Sequence, residues 1–445
     1  MRSCTFFQYS SVLLLIMLIG SDSYAQRIIA YEKYMKDIVQ ATSMVMIHDV
    51  VNPPAASRFY AYSLLGAYEI MASQKKDIVP LTSLNTGFGP VMVPKNEVYD
   101  YQVAALLTIL LTAQEILPSG YMLEEKINSF TTTLLKEGLT VEQLNQAKMI
   151  ADTVTKQVLR QASQDNYAKL SALRRYRPLK GDAYWYPTPP GYMEGIEPNW
   201  NIIRPVFLDS CSQFTPMEPV VYSNDPNSSF YKMTDEVYRT VNNLTEEQKL
   251  IASFWDCNPF AINTSGHMMI GFKKISPGGH WMGITSIAAD KANLDLGRSI
   301  TAHALVAFTL MDAFISCWDE KYRSNRIRPE TVINRLIDKR WQPLLQTPPF
   351  PEYTSGHSVI STAAAEVLSF LFGDSFQFTD DTEIIFDLPK RDFPSFRYAA
   401  QEAAISRLYG GIHYRDAIEA GQDQGGKLGR FIVGRLKLAG VRSLR

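Results

Sequence analysis

Residues 354–371 read Thr-Ser-Gly-His-Ser-Val-Ile-Ser-Thr-Ala-Ala-Ala-Glu-Val-Leu-Ser-Phe-Leu. Val359, Ile360, Ala363, Ala364, Val367 and Leu368 recur at the spacing of one helix face. Thr354 or Ser355 stands where an N-cap belongs, so a helix is predicted over 355–371. The same periodicity spreads outward from this stretch. It marks 31–46, then 55–71 behind Pro53-Pro54, which a first helical turn accepts. It continues through 96–137 and through 141–164 behind Thr140, and it resumes at Ser228. Thr245 and Gln248 spell a capping box, and long helices follow over 293–325, 395–409 and 413–437. Alternating strand patterns are scarce and no internal repeat is visible. The fold class is all-α, arranged as two helical bundles.

Between the bundles, residues 177–226 hold nine of the 24 prolines, with Pro-Thr-Pro-Pro at 187–190. This predicts an irregular connecting segment, and its Trp185, Tyr186, Trp200 and Phe207 predict that it packs. The expected division is a leader at 1–25, an N-terminal bundle at 26–176, the connection at 177–226, and a C-terminal bundle at 227–445. The leader rests on Arg2, the apolar run Val12 to Ile19, and Ser23-Tyr24-Ala25 as a small-x-small cleavage site. Export to the periplasm or the exterior is the expectation. Ala302 to Trp318 is the most apolar later stretch, but His303 and Asp312 fit a core helix better than a membrane span.

Composition narrows the function. The 445 residues are 46% hydrophobic and 20% charged, which excludes a disordered chain. The balance of 44 basic against 45 acidic residues argues against a nucleic-acid partner. Cys211, Cys257 and Cys317 lack metal-ligand spacing; one disulfide plus a free thiol is one arrangement they allow.

The common catalytic signatures are absent: no nucleophile elbow, Walker loop, zinc-protease helix or dinucleotide glycine motif occurs. Three pieces in the last third carry chemistry instead. Lys321 and Arg328-Pro329 come first; seven residues is about two helical turns, so both cations can point one way before Pro329 ends the helix. With Arg323 and Arg326 alongside, a solvated basic helix end is the plainer alternative. Ser355-Gly356-His357 comes second, at a helix N-terminus where free N–H groups attract an anion. Thr264-Ser265-Gly266-His267 repeats the same letters, so the tetrapeptide alone decides little. Ser406-Arg407 and His413 come third, separated by Gly410-Gly411; a helix corner with a packed histidine is its plain alternative. Together they offer three cations, neutral donors and two imidazoles. That set suits a tetrahedral oxyanion such as phosphate or vanadate, with a histidine on each side.

In this order, Lys-x6-Arg-Pro, Ser-Gly-His and Ser-Arg-x5-His resemble the shared signature of type 2 phosphatidic acid phosphatases and vanadium-dependent haloperoxidases. Phe254-Trp255-Asp256, Pro277-Gly278-Gly279-His280-Trp281 and Pro351-Glu352-Tyr353 resemble segments of the haloperoxidases. Trp318-Asp319 before Lys321, and Phe350 before Ser355, are similar to the soluble bacterial iodoperoxidase group. The resemblance implies two helical bundles and a vanadate cofactor bound through His413, the metal ligand. Lys321, Arg328, Ser355, Gly356 and Arg407 would hold its oxygens, and His357 would be the acid–base. The implied reaction is oxidation of halide, iodide first, by hydrogen peroxide to hypohalous acid, which passes to small organic acceptors. Two departures stand out. Asp416 lies three residues after His413, where the family often has an aspartate at four; it is the expected orienting carboxylate. Cys257 follows Asp256 where relatives tend to have a second acid, which leaves Asp256 as a candidate partner of Arg407. A vanadate-free acid phosphatase forming a phosphohistidine on His413 is the runner-up, and a binding protein that kept the scaffold is the third reading.

Overall fold

A computed structural model describes residues 29–94, 98–265 and 268–445. The proposed leader, and Gly266 and His267 of the second Ser-Gly-His, lie outside the described residues. Five helices come first: α1 (Lys33–His48), α2 (Pro53–Gln74), α3 (Tyr101–Ile116), α4 (Glu124–Lys136) and α5 (Val141–Ala162). After the proline-rich segment follow α6 (Ser229–Asn242), α7 (Glu246–Phe254), α8 (Pro277–Lys291), α9 (Leu296–Ser324), α10 (Pro329–Leu336), α11 (Gly356–Phe372), α12 (Phe396–Tyr409) and α13 (Arg415–Leu438). Two antiparallel hairpins interrupt them. One pairs β1 (Ala261–Ser265) with β2 (Met268–Phe272); the other pairs β3 (Phe378–Asp380) with β4 (Arg391–Phe393).

Local chemistry sets many of the helix ends. Asn52 caps α2 by accepting from the Ala55 N–H, with prolines in the first turn. Thr140 with Gln143 and Thr245 with Gln248 form reciprocal capping boxes on α5 and α7. The 96–137 stretch divides into α3 and α4, because Leu117-Pro118 stops the first of them. Helix α8 was not foreseen; Ser276 caps it and Pro277 opens it.

Helix α9 is the axis. It is apolar on all sides and packs against α2, α8 and α11. Among the described residues it alone is long and apolar enough to cross a membrane, yet its apolar window is wholly buried, as in a core helix. One continuous apolar core links α1–α3 through α9 to α11 and α13. Asp312, in the middle of α9, accepts from the Val206, Phe207 and Leu208 N–H groups at 2.6, 2.6 and 3.1 Å. The connecting segment is thereby fixed to the axis. Trp185, Trp200 and Phe207 are buried as expected, whereas Tyr186 is exposed.

Helices α11 and α13 approach backbone to backbone. A Cβ on Gly425 would stand 2.2 Å from the Val359 carbonyl oxygen, so only glycine fits there. That contact sets the position of the α11 N-terminus. Pro329 corrects the sequence expectation: it opens α10 rather than closing a helix. Helix α9 ends at Ser324, where Asn325 takes the left-handed conformation at φ 51°. Lys321 and Arg328 therefore do not share one helix. Cys211, Cys257 and Cys317 are free thiols, and no disulfide forms among the described residues.

Candidate active site

The turn at Asn325 folds the chain back so that Arg328 meets Lys321 from a different element. Lys321, in the last turn of α9, donates from Nζ to the Pro351, Glu352 and Thr354 carbonyls at 3.2, 3.1 and 2.5 Å. Arg328 precedes α10; its Nε donates to Phe350 O at 3.0 Å and its Nη1 to Ile412 O at 2.8 Å. Arg407, near the end of α12, donates from Nη2 to Trp255 O at 2.6 Å and Ala252 O at 3.3 Å. All three side chains are buried. Among the described residues, no carboxylate lies within ion-pair distance of any of them. Their anchors are neutral acceptors, mostly carbonyls, with Ser406 Oγ taking Arg407 Nε at 2.9 Å; these hold a cation in place without neutralising it.

The electrostatic consequence is direct. Burial pushes Lys321 down to about 7 and Arg328 down to about 10, and it lowers Arg407. Three desolvated cations, each without a direct ion-pair partner among the described residues, make a site that favours an anion. The neutral donors lie beside them. Ser355 caps α11 with its Oγ 2.9 Å from Ser358 Oγ. Gly356 is the first residue of α11, where N–H groups have no intrahelical acceptor. A Cβ there would meet only Lys321 and Trp318 at ordinary contact distance, 3.9 Å.

His413 stands between α12 and α13. Its Nδ1 lies 2.8 Å from Glu352 Oε1, and its Nε2 lies 3.2 Å from Arg328 Nη1. Burial, then Arg328, Lys321 and Arg407, hold the ring well below the usual histidine range, so it is neutral. A neutral ring that donates Nδ1–H to a carboxylate keeps its lone pair on Nε2, facing the cations. His357 is also held well below its ordinary range, by burial first and then by Arg407 and His413. Its Nε2 is buried without a partner. Gly356, His357, Arg407 and His413 line one cavity of about 40 Å3, with Trp318 and Phe350 on its wall. At 10–15 Å3 per water-sized occupant, this is the size of a small oxyanion.

The structure thus gathers Lys321, Arg328, Ser355, Gly356, His357, Arg407 and His413 at one place. Asp416 is a correction. It does not touch His413; both its oxygens bind Arg326, at 2.6 and 2.7 Å. Residue 416 lies in the first turn of α13, and the ring of His413, which precedes that helix, turns toward the 350–355 segment. Glu352 takes the orienting place, with Arg326 Nε on its other oxygen at 2.7 Å. Asp416 acts only indirectly, by holding the Arg326 that holds Glu352. Asp256 pairs with Lys274 at 2.6 Å rather than binding Arg407. Sequence reasoning gave neither Glu352 nor Arg326 a role. The available signal was an acid placed just before a helix cap, within an otherwise apolar stretch.

Against solved structures, the chain is similar to one described as the first bacterial vanadium dependent iodoperoxidase. The two share 43% identity over 91% of this chain and 96% of that one, with a TM-score of 0.85. The chain belongs to the vanadium-dependent haloperoxidases. Two bacterial vanadium-dependent chloroperoxidase structures, one apo and one holo, share the fold at 14% identity each. Their TM-scores are 0.67 and 0.63, over 87% and 94% of this chain and 94% of each of theirs. A family profile, VCPO second helical-bundle domain, matches residues 336–439. In this haloperoxidase that range runs from the end of α10 to the first residue after α13, and it contains Ser355, Gly356, His357, Arg407 and His413. No curated protein matches the chain by sequence.

Proposed function

We propose that this haloperoxidase holds vanadate through His413 Nε2 and oxidises halide with hydrogen peroxide, iodide being the preferred halide. The observation that carries the reading is the set of three buried cations, held mainly by backbone carbonyls and not by ion pairs, around a neutral histidine pinned by Glu352. Lys321, Arg328 and Arg407 supply the charge that a bound oxyanion lacks, and Ser355 Oγ and the Gly356 N–H add neutral donors. Bound vanadate supplies a Lewis acid that activates hydrogen peroxide toward halide while its own oxidation state stays fixed. His357, neutral and with Nε2 free inside the cavity, accepts the proton that peroxide gives up. Trp318 and Phe350, with ring centroids 5.0 Å apart, give the cavity a polarisable wall. That wall favours a large halide and an organic acceptor.

The leader reading of residues 1–25, with export, rests on Arg2, the apolar run and Ser23-Tyr24-Ala25. The four-part division rests on the proline-rich 177–226 segment.

The test is oxidation of iodide, bromide and chloride by the apoprotein with hydrogen peroxide, with and without added vanadate. Activity that depends on vanadate, with iodide fastest, is expected; His357→Ala keeps vanadate and loses turnover. Hydrolysis of p-nitrophenyl phosphate without halide oxidation would instead assign the site to a phosphatase working through phospho-His413.

A further inference from the structure

A second cluster of chemistry-bearing side chains lies behind the Arg407 wall. Cys257, His280 and Glu383 are all buried, and one ligand atom from each falls within 4.8 Å of the other two. His280 Nδ1 lies 3.4 Å from Cys257 Sγ and 3.2 Å from Glu383 Oε1. On the far side of the ring, His280 Nε2 lies 2.8 Å from Asp380 Oδ2. Glu383 Oε1 is at ion-pair distance from the ring but makes no hydrogen bond, which leaves a buried carboxylate oxygen unpartnered and aimed into the cluster.

We propose that Cys257, His280 and Glu383 bind one zinc-type divalent transition-metal ion, with Asp380 orienting the histidine. Zinc sits about 2.0–2.1 Å from nitrogen, about 2.0–2.2 Å from carboxylate oxygen and about 2.3 Å from thiolate. In a tetrahedron those bonds place ligand atoms about 3.3–3.6 Å apart, and the two observed separations from His280 Nδ1 fall close to that. Asp380 on Nε2 is the carboxylate–histidine–metal arrangement, which fixes the tautomer with its lone pair on Nδ1. A thiolate and a carboxylate balance the charge of the ion; the thiol proton leaves to solvent on loading. Trp255 stacks on the His280 ring at 4.6 Å and 19°, so the ring cannot swing out of place.

The ion would bear on the anion site without entering it. The Trp255 carbonyl that takes the Arg407 hydrogen bond also accepts from the Cys257 N–H at 3.0 Å. Holding Cys257 by its sulfur therefore holds the carbonyl that aims Arg407. Cys257 reaches the wall of the same cavity, which provides an entry path for the ion. Once ligated, the thiolate is also less open to oxidation at an oxidising site.

The experiment is metal analysis of the full chain after equimolar zinc loading and gel filtration, with no vanadate or peroxide present. One equivalent is expected in the wild type and in the control Cys211→Ala. Cys257→Ala and Glu383→Gln should lose it, and Asp380→Asn should bind about 10–100-fold more weakly. Cobalt loaded into the wild type should give a thiolate-to-cobalt charge-transfer band, a readout that stands even if the variants fail to fold. Zinc retained equally by Cys257→Ala and Glu383→Gln, or a wild type that holds no zinc or gives no such band with cobalt, overturns the proposal.

Discussion

Replacing Glu352 with glutamine separates the two carboxylates that compete for the orienting role. Both Glu352 oxygens accept from donors: Oε1 from His413 Nδ1 at 2.8 Å and Tyr414 N at 3.0 Å, Oε2 from Arg326 Nε at 2.7 Å. Glutamine has one acceptor oxygen, so its NH2 must face a donor on one side. If it faces Arg326, two sets of N–H groups confront each other. If it faces His413, the imidazole must accept on Nδ1 and carry its proton on Nε2, where the vanadate ligand should be. Loss of an orienting partner costs about 10–100-fold in affinity, which is about 1.4–2.7 kcal/mol. Breaking a buried ion pair costs about 3–5 kcal/mol of stability; the lower end is expected, because Arg326 keeps Asp416 at 2.6 Å. The assay titrates each apoprotein with vanadate, follows the return of halide oxidation, and records a thermal melt. Glu352→Gln should weaken vanadate by the stated factor, whereas Asp416→Asn should change it far less. Unchanged affinity in Glu352→Gln, or a larger loss in Asp416→Asn, refutes the assignment.

Vanadate affinity should fall as pH rises above about 7. Lys321 titrates at about 7 in the anion-free site, and a bound oxyanion raises it, so binding above that pH takes up a proton. A vanadate titration repeated across pH checks this; affinity that rises with pH contradicts it. Gly425→Ala should cost about 1–3 kcal/mol or more through overpacking, since its Cβ would lie 2.2 Å from Val359 O. The melt should drop, and vanadate should weaken with it as the α11 N-terminus shifts. Asp312→Ala leaves three buried N–H groups without their acceptor. At about 1–3 kcal/mol each, it should lower the melting temperature by several degrees or prevent folding; an unchanged melt counts against the anchoring role.

What was legible in the sequence followed from local rules. Helix spans and capping boxes depend on residues three or four apart, so Thr140–Gln143, Thr245–Gln248 and the 355–371 helix could be read directly. The residues that gather at the candidate anion site could be read because each sits in a short motif of fixed spacing. Long-range choices could not. Glu352 reaches His413 across 61 positions, whereas Asp416 was the nearer carboxylate in sequence and would have shared a face with it only if the helix had begun at His413 rather than Arg415. Pro329 was ambiguous because proline both stops a helix and opens one; Asn325 at positive φ decides between them. The cluster of Cys257, His280, Asp380 and Glu383 has no sequence spacing to reveal it, because the ligands come from the end of α7, from α8 and from the segment after β3.

The central claim is that His413 holds vanadate inside a cage of unpaired cations. It is tested most directly by the vanadium retained after gel filtration of vanadate-loaded wild type and His413→Ala. The account predicts one vanadium per chain in the wild type, with halide oxidation, and none of either in the variant. Equal retention by the two proteins would contradict it.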